Sequence, residues 1–421
     1  MGQVISGTWA LMLGMMLLMV GNGVQGSLLG IRGEIEGFST VEMSFVMSAY
    51  FLGFLGGSRV APEMIRRVGH VRVFAALGSF ISAALIVFPW LVDPWVWMFC
   101  RAVIGFCFCG VYVTAESWLN NAATNEDRGK VLSFYMYAQV TGIIIAQGLL
   151  VAADPSGFVL FVIPSILVSL SFAPILLSIS PTPAFESTKG MKLRELFNVS
   201  PLGITGMFVL GGVFSAQFGM SAVYGTQAGL SIVEISIFIA MFYVGSVVTQ
   251  YPIGWFSDRM DRRIVILTVS VLATLGAAIG FLWTGSFYAL LVAAFIVGGA
   301  TNPLYSLFIA HTNDFLSRED MAAASAGLLF VNGLGAVLGP LTIGWLMTSL
   351  GTSAYFLYLG ALTAIISLYA LYRMTKRAAL PSDETGSFAP VLPTSSSVAM
   401  EAAQEYAQYS IEEEAETQNA S

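Results

Sequence analysis

The hydrophobic positions of this chain gather into long continuous runs, not into the alternation of a half-buried strand or the narrow stripe of a soluble helix. Twelve runs fall near residues 8–31, 41–65, 71–91, 95–120, 130–152, 157–178, 200–224, 231–256, 263–284, 287–311, 322–348 and 352–374. Each is close to the length of about 20 residues at which a helix crosses a bilayer. Backbone N–H and C=O groups find no water in lipid, so only helices and closed barrels span it, and the short alternating segments of a barrel do not occur here. The pattern predicts an all-α membrane protein with twelve transmembrane helices. The first run has no basic residue before it and exceeds the length of a signal-peptide core, so it reads as a retained span.

The polar positions between the runs orient them. Loops after even-numbered spans, with the C-terminal end, hold Arg66, Arg67, Arg72, Arg128, Lys130, Lys189, Lys192, Arg194, Arg259, Arg262, Arg263, Arg318, Arg373, Lys376 and Arg377. The opposite side holds Arg32 alone, while Arg59 and Arg101 lie inside spans. Positive residues stay cytoplasmic, so both termini are expected there. Trp90, Trp95 and Trp97 flank Asp93-Pro94, where an interfacial aromatic belt belongs.

The sequence also repeats itself at a spacing of about 192 residues. Gly37-Phe38-Ser39-Thr40-Val41-Glu42 matches Gly229-Leu230-Ser231-Ile232-Val233-Glu234, Gln25 matches Gln217 and Gly53 matches Gly245. With one residue of slippage, Gly105, Tyr112 and Glu126-Asp127 match Gly298, Tyr305 and Glu319-Asp320. Six spans per half make both halves insert the same way up, with a pseudo-twofold axis along the membrane normal. The expected organisation is a six-helix half over 1–178, a cytoplasmic linker with a short amphipathic helix over 179–199, a second six-helix half over 200–374, and a tail over 375–421. The tail is rich in Ser, Ala and Glu and is expected to be disordered.

Composition sharpens this picture in three places. The chain is 56% hydrophobic and 10% charged, with mean hydropathy +0.79, whereas a soluble domain carries roughly 25% charge. Eight of the 25 acids lie after Leu380, so the body carries 17 acids against 18 bases and presents no basic face for nucleic acid. Cys100, Cys107 and Cys109 share one apolar run without a nearby His, the pattern of buried free thiols and not of a metal site. No Gly-rich loop ending in Gly-Lys-Ser/Thr and no His-Glu-x-x-His occurs. The residues therefore argue against ATP coupling and against an enzyme, with no catalytic residues and no cofactor expected.

The loop after span 8 reads Gly254-Trp255-Phe256-Ser257-Asp258-Arg259-Met260-Asp261-Arg262-Arg263. It resembles the cytoplasmic signature of the major facilitator superfamily: Gly, three residues, Asp-Arg, one residue, Gly, Arg-Arg. Asp261 stands in place of the glycine. The equivalent loop from Pro62 to Arg72 is degenerate, keeping Arg67, Gly69 and Arg72 but carrying Arg66 where an Asp is expected. Arg101 with Gly105 resembles the superfamily's buried arginine motif in span 4. Asn22-Gly23-Val24-Gln25-Gly26, Glu116-Ser117-Trp118-Leu119-Asn120 and Ala310-His311-Thr312-Asn313-Asp314 look like the YcaD-like branch. The resemblance covers about the first 375 residues and implies two six-helix bundles, a bacterial inner-membrane location, a monomer, and transport of a small solute. Drug exporters of the superfamily carry a Gly-Pro motif in span 5, and Gln139 to Gly148 lacks it.

Charges within spans are costly and need a reason. Arg101 holds an anionic group, modulates proton coupling, or anchors neighbouring helices. Arg59 and Glu63 share a face at four-residue spacing and are expected to pair. Glu116 and Asp314 end spans 4 and 10 near Arg67, Asp258 and Arg259, and together suggest a cytoplasmic gate of ion pairs or a static loop anchor. His311 suits proton coupling by its ordinary pKa or forms a structural hydrogen bond to Asp314 or a carbonyl, and His70 is placed in a loop. Asn22, Gln25, Gln139, Gln217, Asn302 and Tyr305 join Arg101 as substrate-binding candidates, with helix–helix adhesion as the alternative role. The reading as a whole is a secondary active transporter working by rocker-switch alternating access, proton-coupled, with export favoured over uptake. A transporter-like receptor that binds without flux is the alternative.

Overall fold

The structure, a computed structural model, describes residues 2–122, 128–176, 191–378, 385–386, 388–396, 398–400 and 403. Its helices are α1 (Gly2–Ile35), α2 (Thr40–Val68), α3 (His70–Trp90), α4 (Pro94–Ala122), α5 (Arg128–Leu149) and α6 (Val159–Leu176), then α7 (Pro201–Gln227), α8 (Ile232–Ser257), α9 (Arg262–Leu282), α10 (Phe287–Asn313), α11 (Arg318–Leu350) and α12 (Ala354–Met374). Among the described residues eleven of these are long and apolar enough to cross a membrane, and the apolar stretch of α6, Val159–Ala173, is shorter. A short helix, Leu193–Val199, precedes α7 and buries Leu196, where the linker was expected to form one. Most of the linker, 179–190, lies outside the described residues.

The repeat in the sequence is a repeat in local chemistry. Gly37 and Gly229 adopt φ of 76° and 74°, a left-handed turn that an L side chain rarely takes. Two residues later Ser39 and Ser231 begin α2 and α8 with capping boxes, closed by Glu42 and Glu234. Packing repeats as well: α2–α4, α3–α4, α1–α5, α1–α6 and α3–α6 recur as α8–α10, α9–α10, α7–α11, α7–α12 and α9–α12.

At the α2–α4 crossing a Cβ on Gly53 would strike the carbonyl of Ala102, and one on Gly105 the carbonyl of Tyr50. Gly245 against Phe295 and Gly298 against Phe242 repeat both contacts at α8–α10. Small residues let backbones approach where lipid offers no hydrophobic drive for helices to associate. Phe80, Phe99, Trp345 and Leu368 point outward, the reverse of a soluble surface.

The two halves meet along α2–α11, α5–α8 and α1–α7. At the end carrying few cations, Thr40 accepts from Gln227 and Ser48 Oγ donates to the Val337 carbonyl at 2.6 Å. Arg32, the cation expected on that side, binds Glu36 and the carbonyl of Pro155 at 2.9 Å. Trp90 and Trp95 are exposed there, as an aromatic belt requires. Trp97 is not part of it: its ring is buried and its indole N–H donates to the Phe88 carbonyl at 3.0 Å. Cys100, Cys107 and Cys109 are buried free thiols.

The tail differs from its expected disorder where it is described. The described tail residues between 385 and 403 return to the basic-loop end and bury Val391, Ser396, Met400 and Ala403. Polar backbone there finds partners in buried side chains, which composition alone does not reveal.

Candidate functional site

A small cavity sits on the seam between the halves, with a volume of about 30 Å³ and a mouth partly open to solvent. The first half contributes Tyr50, Phe51 and Phe54, the second Phe214, Phe218, Leu329 and Asn332. Aromatic rings bridge the seam, with Tyr50 5.7 Å and Phe51 6.2 Å from Phe218. The floor facing the basic end is made by Pro393 and Thr394 of the tail.

A buried polar cluster stands behind Tyr50. Asn22 Nδ2 donates to the Tyr50 hydroxyl at 3.4 Å, and Gln25 Nε2 donates to Asn22 Oδ1 at 3.3 Å. The Arg101 guanidinium lies over the Tyr50 ring, 4.6 Å from its centroid, and Nη2 donates to the Met47 sulfur at 3.6 Å. Among the described residues Arg101 Nε and Nη1 and Gln25 Oε1 have no hydrogen-bond partner, and neither does either amide atom of Gln139 on α5. No carboxylate of the described residues pairs with Arg101. A fully buried guanidinium with two idle donors is costly unless something with lone pairs meets it. Three of the substrate-binding candidates, Asn22, Gln25 and Arg101, thus come together, and Tyr50 is the member the sequence reading missed. An aromatic at that position carried no polar signal in an apolar run.

In the second half, Gln217 lies in a five-residue π-helical turn, Ala216–Met220, inside α7. Such turns cost ladder geometry and concentrate at functional sites. Gln217 Nε2 donates to Thr301 Oγ1 at 2.9 Å, which ties α7 to α10. Asn302 donates to its own helix at the Gly298 carbonyl, 3.1 Å away. Tyr305 is buried, and its hydroxyl has no hydrogen-bond partner among the described residues.

The gate candidates sort differently from their expected partners. Arg67 is exposed and pairs with Glu63 at 2.6 Å, as does Arg66 at 2.8 Å. Arg59 therefore has no bond from Glu63; it crosses the seam and lies over the Phe330 ring at 4.4 Å. Arg259 is stacked on Trp255 at 4.4 Å and meets none of the acids in an ion pair among the described residues. The cation that gathers the acids is Arg262: it pairs with Asp314 at 2.5 Å and approaches Asp258 at 3.8 Å. Asp258 and Arg262 stand four residues apart in the loop motif, a spacing that could have identified the pair.

Burial pushes the Asp314 carboxyl above its ordinary value, and the bond from Arg262 only partly offsets that. Burial likewise raises Asp258, against a hydrogen bond from the Phe388 N–H. Asp261, which replaces the motif glycine, is the N-cap of α9 and accepts from the Arg263 N–H at 3.0 Å. Burial pushes its carboxyl up, but the bonds and charge of Arg263 outweigh burial and hold it below the usual range.

Glu116 is buried in α4 and accepts from the Tyr135 hydroxyl at 3.2 Å and from the Ser396 N–H at 2.8 Å. His311 is buried, edge-on to Phe315 at 5.2 Å and close to Arg262, Arg263 and Arg377, and does not line the seam cavity. His70 is not in a loop: it opens α3, is buried, and shares a hydrogen bond with Ser117 Oγ at 3.0 Å. Among the described residues no group of His, Cys, Asp and Glu could hold a metal ion.

Known proteins share this architecture. The sequence model of the Major Facilitator Superfamily matches residues 11–242 and 223–403. An uncharacterized MFS-type transporter, YcaD, from Escherichia fergusonii is 26% identical over 365 residues, covering 86% of this chain and 94% of the relative. Its counterpart in Salmonella dublin is 24% identical over the same shares. Among solved structures, a mutant of the nucleoside transporter NupG superposes with a TM-score of 0.75 at 14% identity, over 87% of this chain and 99% of that one. A bacterial homolog of the human lysosomal transporter Spinster, inward-facing and unoccupied, gives 0.68 at 14% identity over 96% and 98%.

Proposed function

Since the chain belongs to the Major Facilitator Superfamily and is a membrane transporter, we propose that it is a secondary active transporter that moves a small solute by rocking its two halves about the seam cavity. The observation that carries the proposal is the idle donor set of Arg101, which lies over the Tyr50 ring, because Tyr50 in turn lines a cavity that both halves build. The cargo fitting it has an acceptor or anionic group for Arg101 and an apolar or aromatic body for Phe51, Phe54, Phe214 and Phe218. Phosphate-, carboxylate- or carbonyl-bearing planar molecules meet both demands.

The protein works in the bacterial inner membrane with the basic end cytoplasmic, and the present arrangement is inward-facing. The contacts at the other end, Ser48 to Val337 and Thr40 to Gln227, support that assignment. We take the transport to be proton-coupled and outward. Glu116, a carboxylate buried within a span and bonded to Tyr135 and to the tail that floors the cavity, is our candidate for the proton carrier ahead of His311.

A thermal-shift screen of the purified protein against metabolites, nucleosides, amino acids and antimicrobials at two pH values tests the site. A binding solute is expected to lose about tenfold in affinity, about 1.4 kcal/mol, on Arg101→Ala or Gln25→Ala. Binding indifferent to both substitutions moves the cargo elsewhere. Flux of that solute into inverted vesicles, driven by an imposed proton gradient, checks the direction and the coupling together.

A further inference from the structure

The C-terminal segment enters the vestibule at the basic end and touches both halves. Gly386 donates its N–H to Asp314 Oδ1 at 3.1 Å and offers its carbonyl to Arg262 Nη2 at 2.6 Å. Phe388 N–H donates to Asp258 Oδ1 at 2.7 Å, and its ring fills the notch over Gly254, where a Cβ would collide with it. Deeper in, Val391 and Ser306 on α10 exchange two bonds, N–H to Oγ at 2.9 Å and Oγ to carbonyl at 3.1 Å.

A turn closed by the Ser395 N–H on the Leu392 carbonyl places Pro393 and Thr394 at the cavity floor. The chain then crosses to the first half, where the Ser396 N–H meets the buried carboxylate of Glu116 at 2.8 Å. Val398 N–H is taken by Ser396 Oγ at 3.2 Å, opening a short helical turn that buries Ala399 and Met400.

We propose that the described tail residues 386, 388–396 and 398–400 form an autoinhibitory plug, a segment of the chain that docks in its own translocation path and staples the halves with this end apart. Occupancy and bonding both support it. For the basic end to close, α4 and α10 must approach through the volume that Val391, Pro393, Thr394 and Ser396 occupy. The groups that hold the plug, Asp258, Asp314 and Glu116, are the acids that an end-closing network would use, so docking and closure compete for the same acceptors. Tethering makes the plug effective at modest intrinsic affinity, because a linked ligand is present at an effective concentration on the order of millimolar. Transport then requires release of the tail, and anything that retains the tail outside the vestibule activates the protein.

The test compares the full chain with a variant ending at Ala378, each carrying Phe54→Cys at the cavity wall, against a parent whose three cysteines are buried. Alkylation of the introduced thiol by a charged maleimide in detergent is expected to rise at least about fivefold on truncation, because labelling tracks the open fraction. A synthetic peptide of residues 385–403 is expected to restore protection. Phe388→Ala and Ser396→Pro in the full chain remove the notch contact and the bond to Glu116, and each is expected to raise labelling without loss of chain, which covers the case of a truncation that does not fold. Equal labelling in full-length, truncated and point-substituted proteins would overturn the plug. Because the readout is accessibility and not flux, that result would leave the transport proposal standing.

Discussion

Arg262→Ala is expected to be among the most destabilising single substitutions at the basic end. The Arg262 and Asp314 side chains are 2% and 3% exposed, so removing the guanidinium strands a carboxylate away from water and leaves the Gly386 carbonyl unpaired. Breaking a buried pair from one side costs roughly 3–5 kcal/mol, mostly as the penalty on the survivor. The melting temperature of the purified protein should fall by several degrees. Replacing both partners, Arg262→Met with Asp314→Leu, should recover most of it, since no buried charge is then left alone. Non-recovery in the double variant would mean that Arg262 acts through Ser257 and the tail instead, to which it is also bonded. In the same series Arg259→Ala should change the melting temperature little, because Arg259 is exposed and rests on Trp255.

The second large effect concerns the helix crossing that carries the site. Gly105→Leu puts a branched side chain against the Tyr50 carbonyl, and backbone cannot yield as a flexible side chain can. Overpacking typically costs about 1–3 kcal/mol, and more where backbone must move. Because α2 and α4 meet through Gly53 and Gly105 together, prying them apart also separates Arg101 from the Tyr50 ring it lies over. The variant should fail to give monodisperse protein by size exclusion, and Gly105→Ala, whose Cβ alone meets the same carbonyl, should lower the melting temperature less severely and weaken cargo binding. Gly298→Leu should behave alike in the second half, where it faces Phe242. Gly148→Leu, with nothing within 4 Å of the added Cβ, serves as the control.

These two positions show what the sequence made legible. The span pattern, the half repeat and the glycine pairs were all readable, because lipid imposes length and apolarity on a span and close crossings impose glycine. Even the Asp261 departure has a local cause, since the residue caps α9. Side-chain partnerships were not readable to the same degree. Arg262 and not Arg259 engages the acids, because the loop turns at Asp258 and directs one guanidinium inward and the other onto Trp255. Glu63 has three arginines within about one turn, and it takes the exposed Arg66 and Arg67 while Arg59 crosses to Phe330. Tyr50 was hidden by the company of Phe51 and Phe54. The tail misled by composition: Ser, Thr and Ala suit a solvated coil, yet they also suit a narrow polar vestibule in which backbone groups make the contacts.

The central claim is that the seam opens alternately at its two ends. Spin labels at Val41 and Leu350 report the end with few cations, and labels at Val68 and Met260 report the basic end; all four positions are exposed. Distance distributions in lipid nanodiscs, measured for the full chain and for the chain ending at Ala378, test the claim without a known cargo. The account predicts that truncation adds a short-distance population at the basic end and a matching long-distance population at the other. Distances that lengthen or shorten at both ends together would contradict it, whereas distances unchanged by truncation would overturn only the plug.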